Sequence, residues 1–166
     1  MKMISDGHGG KRDAAGVPGI IAGTIASSDL AKARRFYEEF LGLECVRCAP
    51  DRLLVRDEVA AGLMKRGERG GFVIDVRQVD AVEHPQGLLN HWGISVESKE
   101  EVDRVRAVAL ENGEEYGIIK VNPITKMHGS YQFYFIDLDN NWWEIEYRNP
   151  GLTHEAVLER GDFKRK

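Results

Sequence analysis

Between positions 30 and 41 apolar side chains recur at steps of three and four, at Leu30, Ala33, Phe36, Tyr37, Phe40 and Leu41, while Lys32, Arg35, Glu38 and Glu39 fall mostly elsewhere. A period near 3.6 gathers the first set on one face, so the pattern predicts an amphipathic helix over 30–41. Ser27, Ser28 and Asp29 precede it with side-chain oxygens able to accept from first-turn N–H groups, and Gly42 follows as a C-cap glycine would. Ahead of the helix, PGIIAGTI (18–25) reads as a strand. Behind it come three β-type runs, LECVRC, RLLVRD and GFVIDVRQV, interrupted by the glycine-rich, charged KRGERGG.

From Leu89 the order starts again. LNHWGISV reads as a strand, 99–112 as a helix closed by Gly113, and GIIKVN, SYQFYFID and NWWEIEY as strands. Element order therefore repeats after about seventy residues. Spacing repeats as well: Ala22 to Asp29 and His91 to Ser98 are both seven residues, and Ala22 to Asp75 and His91 to Glu144 are both 53. The expectation is an α+β fold of two βαβββ modules, about 18–80 and 88–150, forming one domain whose curled sheets leave a cup. Residues 1–17, with glycines and mixed charge, read as a flexible leader, and 151–166 as a surface tail.

Composition narrows the function. Lys and Arg total 23 against 27 Asp and Glu, a net charge of -4 without a basic stripe, which argues against nucleic acid or an anionic membrane as partner. No apolar run reaches the ~18–20 residues of a bilayer span and no secretory signal is visible, so a cytoplasmic protein is expected. Cys45 and Cys48 form a CxxC in a strand rather than at a helix N-terminus, and no second pair completes a zinc tetrad. A plain pair of thiols is expected.

Three segments together carry a resemblance. SSDLAKARRFYEEFLGLE, NHWGISV and FYFIDLDNNWWEIEY are similar to the helix signature, second-histidine strand and closing strand of the vicinal oxygen chelate superfamily, which includes glyoxalase I, fosfomycin and bleomycin resistance proteins and extradiol dioxygenases. The resemblance covers about 18–150 and implies paired βαβββ modules holding one divalent metal. By position, the implied ligand places are Ala22, Asp75, His91 and Glu144. Ala22 departs from the pattern, since it has no donor atom, and Asp75 stands where glyoxalase-like members have a glutamate. Glu146 shares a strand face with Glu144 and is a substitute or substrate-binding residue. Tyr134, ten residues before Glu144, is spaced like the substrate-contacting tyrosine of extradiol dioxygenases, and His128 lies near the place of their acid/base histidine. Asn140 replaces the usual turn glycine, which asparagine's tolerance of left-handed backbone allows.

An imidazole with one or two carboxylates suits Fe(II), Zn(II), Mn(II) or Ni(II) without distinguishing them, and the resemblance to extradiol dioxygenases puts Fe(II) first. The loss of a donor at Ala22 leaves open that no metal binds. The leading expectation is a dioxygenase-like metalloenzyme acting on vicinal oxygens, such as those of a catechol, with Tyr134 and His128 moving protons and Trp142 as an aromatic wall. Two alternatives stand beside it: a metal-free binding or resistance protein, and a glyoxalase-like isomerase or lyase drawing on Asp75. Structural roles also remain open, with Asp75 pairing with Arg77 or Lys65, His91 as a hydrogen-bonded interior histidine, Tyr134 as a core aromatic and His128 in a solvated turn. The resemblance further implies a homodimer, with the site within one chain or across two.

Overall fold

A computed structural model describes residues 22–56, 73–83, 86–127, 129–153 and 156. The first half runs β1 (Ala22–Ser27), α1 (Leu30–Arg35), a π-helical turn (Phe36–Phe40), β2 (Glu44–Ala49), β3 (Arg52–Arg56) and β4 (Val73–Gln78). The second runs β5 (His91–Ser95), α2 (Lys99–Asn112), a 3-10 turn (Gly113–Tyr116), β6 (Ile118–Val121), β7 (Thr125–Met127), β8 (Ser130–Asp137) and β9 (Trp142–Arg148). A last 3-10 turn, Pro150–Leu152, follows.

The repeat is visible in the hydrogen bonding. One sheet has the order β1-β4-β3-β2 and the other β5-β9-β8-β6, with the short β7 on β8. In each, the first and last strands of the half lie side by side and parallel, Ala22 against Val73 and His91 against Trp142, an offset of 51 in both. The expected α+β architecture of paired βαβββ modules is therefore present, as two mixed sheets rather than a closed barrel. β7 is an addition that the sequence reading lacked.

Both caps stand seven residues into their modules. Asp29 accepts from Lys32 N at 3.0 Å and Ser98 from Glu101 N at 3.2 Å, each satisfying a first-turn donor. The first helix is not continuous over 30–41. Its second part widens to a π turn, closed by Leu41 N donating to Phe36 O at 3.0 Å. That stretch turns aromatic side chains toward the second sheet: Phe36 and Tyr37 lie 5.4 and 5.9 Å from Trp143, and Phe40 lies 5.8 Å from Phe135, centroid to centroid.

Gly42 has φ 70, as a C-cap glycine should, but Gly113 is right-handed at φ −59. The chain after α2 instead tightens into the 3-10 turn and stops at Gly117, φ 80. Gly113 is needed for space, because a Cβ there would lie 3.1 Å from Ile118 Cβ.

Strand alternation sorts the faces. Ile25, Leu53, Val55, Ile74 and Val76 from the first sheet, with Phe133, Phe135, Trp143 and Ile145 from the second, form one core with Leu30, Ala33, Val102 and Ala109 of the helices. The face of each sheet turned away from α1 and α2 holds the polar chemistry. A buried turn joins the halves. Asp137 accepts from the N–H groups of Asp139 and Asn141 at 2.9 and 3.0 Å and from Trp143 Nε1 at 3.0 Å. Asp139 accepts from Ser28 N at 2.7 Å, tying the β1–α1 junction to the β8–β9 turn.

Both cysteines of the CxxC are free thiols on β2, Cys45 buried and Cys48 exposed. Burial pushes the Cys45 thiol up to about 11, so it stays protonated at neutral pH.

Candidate functional site

The face of the second sheet turned away from α2 collects most of the expected site residues. On the parallel pair, Gly93 sits opposite Glu144 and Ser95 opposite Glu146; across the antiparallel pair, Tyr134 faces Glu144, Gln132 faces Glu146 and Ile136 faces Trp142. Because paired residues share a face, His91, Trp142, Glu144, Glu146, Tyr134 and Gln132 all point the same way. The 53-residue spacing thus makes His91 and Glu144 diagonal neighbours.

His91 Nε2 lies 3.1 Å from Glu144 Oε2. Its Nδ1 lies 2.6 Å from Leu88 O, and since a carbonyl only accepts, Nδ1 carries the ring proton. A ring carrying only that proton turns the Nε2 lone pair toward a carboxylate oxygen. Two acceptors facing each other call for a cation or a proton between them. A ring anchored through its other nitrogen to a backbone carbonyl is also how metal-binding histidines are oriented. Donors each ~2.1 Å from one ion and near right angles to each other stand ~3 Å apart. A nitrogen and an oxygen donor therefore fit a borderline divalent ion at this point.

Tyr134 completes the cluster. Its ring meets the His91 ring edge-on at 5.2 Å and lies 6.5 Å from Trp142. Gln132 Nε2 donates to the Tyr134 hydroxyl at 2.7 Å, and the hydroxyl hydrogen-bonds to Glu144. Burial first, then that bond to Glu144, hold the phenol well above its ordinary range, so Tyr134 is a hydrogen-bond donor at any physiological pH and not a base. Glu146 is buried and clamped by Arg148, whose Nε reaches both carboxylate oxygens at 2.9 and 2.8 Å.

Asp75 is not brought to this cluster. It lies on the first sheet, where Arg52 Nε and Nη2 donate to its two oxygens at 2.8 and 2.9 Å, and Arg77 Nε and Nη2 to Oδ2 at 3.2 and 3.0 Å. The Arg52 guanidinium first, then Arg77, hold the carboxyl below the usual carboxylate range against the opposing effect of burial. The pairing with Arg77 was open from sequence, but the bidentate Arg52 was not noticed. Among the described residues no group of three or more His, Cys, Asp or Glu is placed to hold a metal. Ala22 heads β1 beside Val73. His128 and Lys65 lie outside the described residues.

Gln132 and Arg148 were missed by sequence reasoning. Their signal was the two-residue strand period, Gln132 two before Tyr134 and Arg148 two after Glu146.

Two βαβββ modules with a histidine and a glutamate on adjacent parallel strands define the class of fold found in glyoxalases and their relatives. The chain belongs to the Glyoxalase/Bleomycin resistance protein/Dioxygenase superfamily, whose family model matches residues 19–145. Among solved structures, a possible glyoxalase from Bacillus cereus is 24% identical, with 78% of this chain and 98% of that one covered and a TM-score of 0.59. The fosfomycin resistance protein FosX from Listeria monocytogenes, complexed with Mn(II) and sulfate ion, is 18% identical, with coverages of 87% and 98% and a TM-score of 0.59. A lactoylglutathione lyase from Agrobacterium tumefaciens is 19% identical, with coverages of 79% and 94% and a TM-score of 0.53. No curated protein matches significantly. These likenesses establish the fold. No helix among the described residues is long and apolar enough to cross a membrane.

Proposed function

We propose that this protein is a divalent-metal-dependent enzyme acting on a small molecule with two neighbouring oxygens, bound on the face of the second sheet turned away from α2. The observation that carries this is the approach of His91 Nε2 to Glu144 Oε2 at 3.1 Å with Nδ1 already committed to Leu88 O. His91 and Glu144 would hold the ion, and FosX, whose structure contains Mn(II), supports a metal in this fold. When bound, such an ion acts as a Lewis acid on substrate oxygens. Iron(II) leads among the candidate metals, with manganese, zinc and nickel next.

The chain's own groups supply the rest. Tyr134 keeps its proton and donates it to an oxygen at the site, either Glu144 or a substrate oxygen that approaches it. Gln132 fixes the phenol by donating to its oxygen. Tyr134 and Trp142 offer ring faces to a planar substrate. That aromatic wall favours a catechol, and extradiol-dioxygenase-like ring cleavage is the first reaction to test. The glyoxalase-like alternative drew on Asp75, and two guanidiniums occupy that carboxylate.

The loss of a donor at Ala22 favours a second reading, a metal-free binder of a planar or hydrophobic molecule. A homodimer in the cytoplasm completes the proposal. The test is oxygen uptake by Fe(II)-loaded protein with a panel of catechols, beside His91→Ala. Uptake by the parent and none by the variant supports the dioxygenase reading. Catechol binding that is unchanged in chelator, without uptake, supports the second.

A further inference from the structure

Among the described residues, Glu144 and Glu146 share their face of the second sheet with Arg148 and, through the Lys120–Ile136 pair, with Lys120. On the first, Arg52, Arg56 and Arg77 stand against Glu44 and Asp75. Register places all five of these on one face together with Val46, Leu54 and Val73, since Glu44 pairs with Arg56, Arg56 with Val73, Val46 with Leu54, Leu54 with Asp75 and Arg52 with Arg77. Arg56 is ion-paired with Glu44.

The remaining carboxylate, Asp75, serves two guanidiniums. It uses Nε and Nη2 of each, and its own side chain is only 12% exposed beneath them. Arg52 and Arg77 are 35% and 46% exposed, and their bonds to Asp75 use Nε and Nη2, leaving Nη1 of each outside that bridge. Among the described residues of this face, three arginines stand against two carboxylates. Beside the cluster lies a cavity of about 310 Å³ lined by Glu44, Val46, Leu54, Val55, Arg56 and Val73, with Val46 51% exposed at its surface.

We propose that this face binds the carboxylate of a small molecule at Arg52 and Arg77, with the molecule's apolar body over Val46, Leu54 and Val73. A planar guanidinium fork matches a planar carboxylate in shape and charge, and Asp75 holds both forks in place without neutralising the pair. The apolar strip next to them gives the body of such a molecule the burial that an inorganic anion could not use. The inference rests on the reading above only in calling that molecule a substrate.

The probe is 2-naphthoate, compared with the neutral 2-naphthamide, titrated calorimetrically into the full chain in EDTA. The parent is expected to bind naphthoate at least tenfold more tightly than naphthamide. Arg77→Gln, which leaves the two-point Arg52–Asp75 bridge intact, is expected to abolish that difference while melting like the parent. Val46→Asp is expected to weaken both probes. Equal affinity for the two probes, no binding of either, or an unchanged preference in Arg77→Gln overturns the proposal. Arg77→Gln is also tested for metal uptake in the absence of EDTA. Because the titration is run in chelator and metal uptake is read separately, failure of the carboxylate site and failure of the metal site give different results.

Discussion

Asp75 and Glu144 occupy the same place in the two halves, opposite Thr24 on β1 and opposite Gly93 on β5, two residues beyond pairs with the same 51-residue offset. Their surroundings diverge. Glu144 faces a histidine and a tyrosine, whereas Asp75 is held by two arginines. The two halves carry a carboxylate at the same place, one a candidate ligand and the other an ionic lock.

Removing the lock has a pH signature. The Asp75 carboxyl is held below its ordinary value by Arg52 and Arg77. A depressed folded pKa contributes stability that is present above the unfolded value of ~3.9 and is lost as pH falls through the folded value. Asp75→Asn is expected to lose ~1–3 kcal/mol at pH 7, leaving two guanidiniums with one neutral amide oxygen in place of a two-oxygen carboxylate. The gap to the parent should shrink as pH is lowered from 6 toward 2. Urea denaturation across that range checks it, and a gap independent of pH would contradict it.

Trp143 is the hinge of the core. It is 1% exposed, packs on Phe36, Tyr37 and Phe135, and donates Nε1 to the buried Asp137. Trp143→Phe removes ring volume and leaves Asp137 one donor short, for an expected loss of ~2–4 kcal/mol in chemical denaturation. Since burial raises the Asp137 carboxyl and Trp143 is first among the groups that lower it, the variant should also raise that carboxyl further. The carboxyl carbon shift in an NMR titration reads this directly.

Asn140 sits at φ 61, the only non-glycine left-handed residue among those described. Asn140→Gly is expected to change stability by less than ~1 kcal/mol, and Asn140→Val to cost ~1–2 kcal/mol, because a β-branched side chain crowds this backbone conformation. Thermal melts of the two variants separate these outcomes.

Tyr134 acts at the site through its hydroxyl. Tyr134→Phe leaves Gln132 Nε2 without the oxygen it donates to and removes the phenol's interaction with Glu144. The fold should persist. Metal affinity is expected to change by ~10-fold, the scale of second-layer partners at metal sites, as read by titration of Mn(II).

The fold was legible because its signals were periodic and local. Cap to strand spacing of seven, the 53-residue interval and strand alternation placed β8 and the faces of Trp142, Glu144 and Glu146 correctly. What escaped were features set by partners distant in sequence. The π turn at 36–40 accompanies packing on Trp143 and Phe135, about a hundred residues away, and an amphipathic pattern does not distinguish it from an α-helical turn. Gly113 looked like a cap because glycine after a helix usually is one, yet here the crowding comes from Ile118. Asp75 matched the ligand pattern by position, while its bidentate partner Arg52 lies 23 residues earlier on a neighbouring strand. β7 is three residues long, too short for a periodic signal.

The central claim is that His91 and Glu144 hold one divalent ion. It is tested by metal analysis of protein purified without chelator and then incubated anaerobically with Fe(II), in parallel with His91→Ala and Glu144→Gln. The account predicts about one metal per chain in the parent and little in either variant, with unchanged circular dichroism. Equal metal content in all three proteins, or none in the parent after Fe(II) incubation, would contradict it.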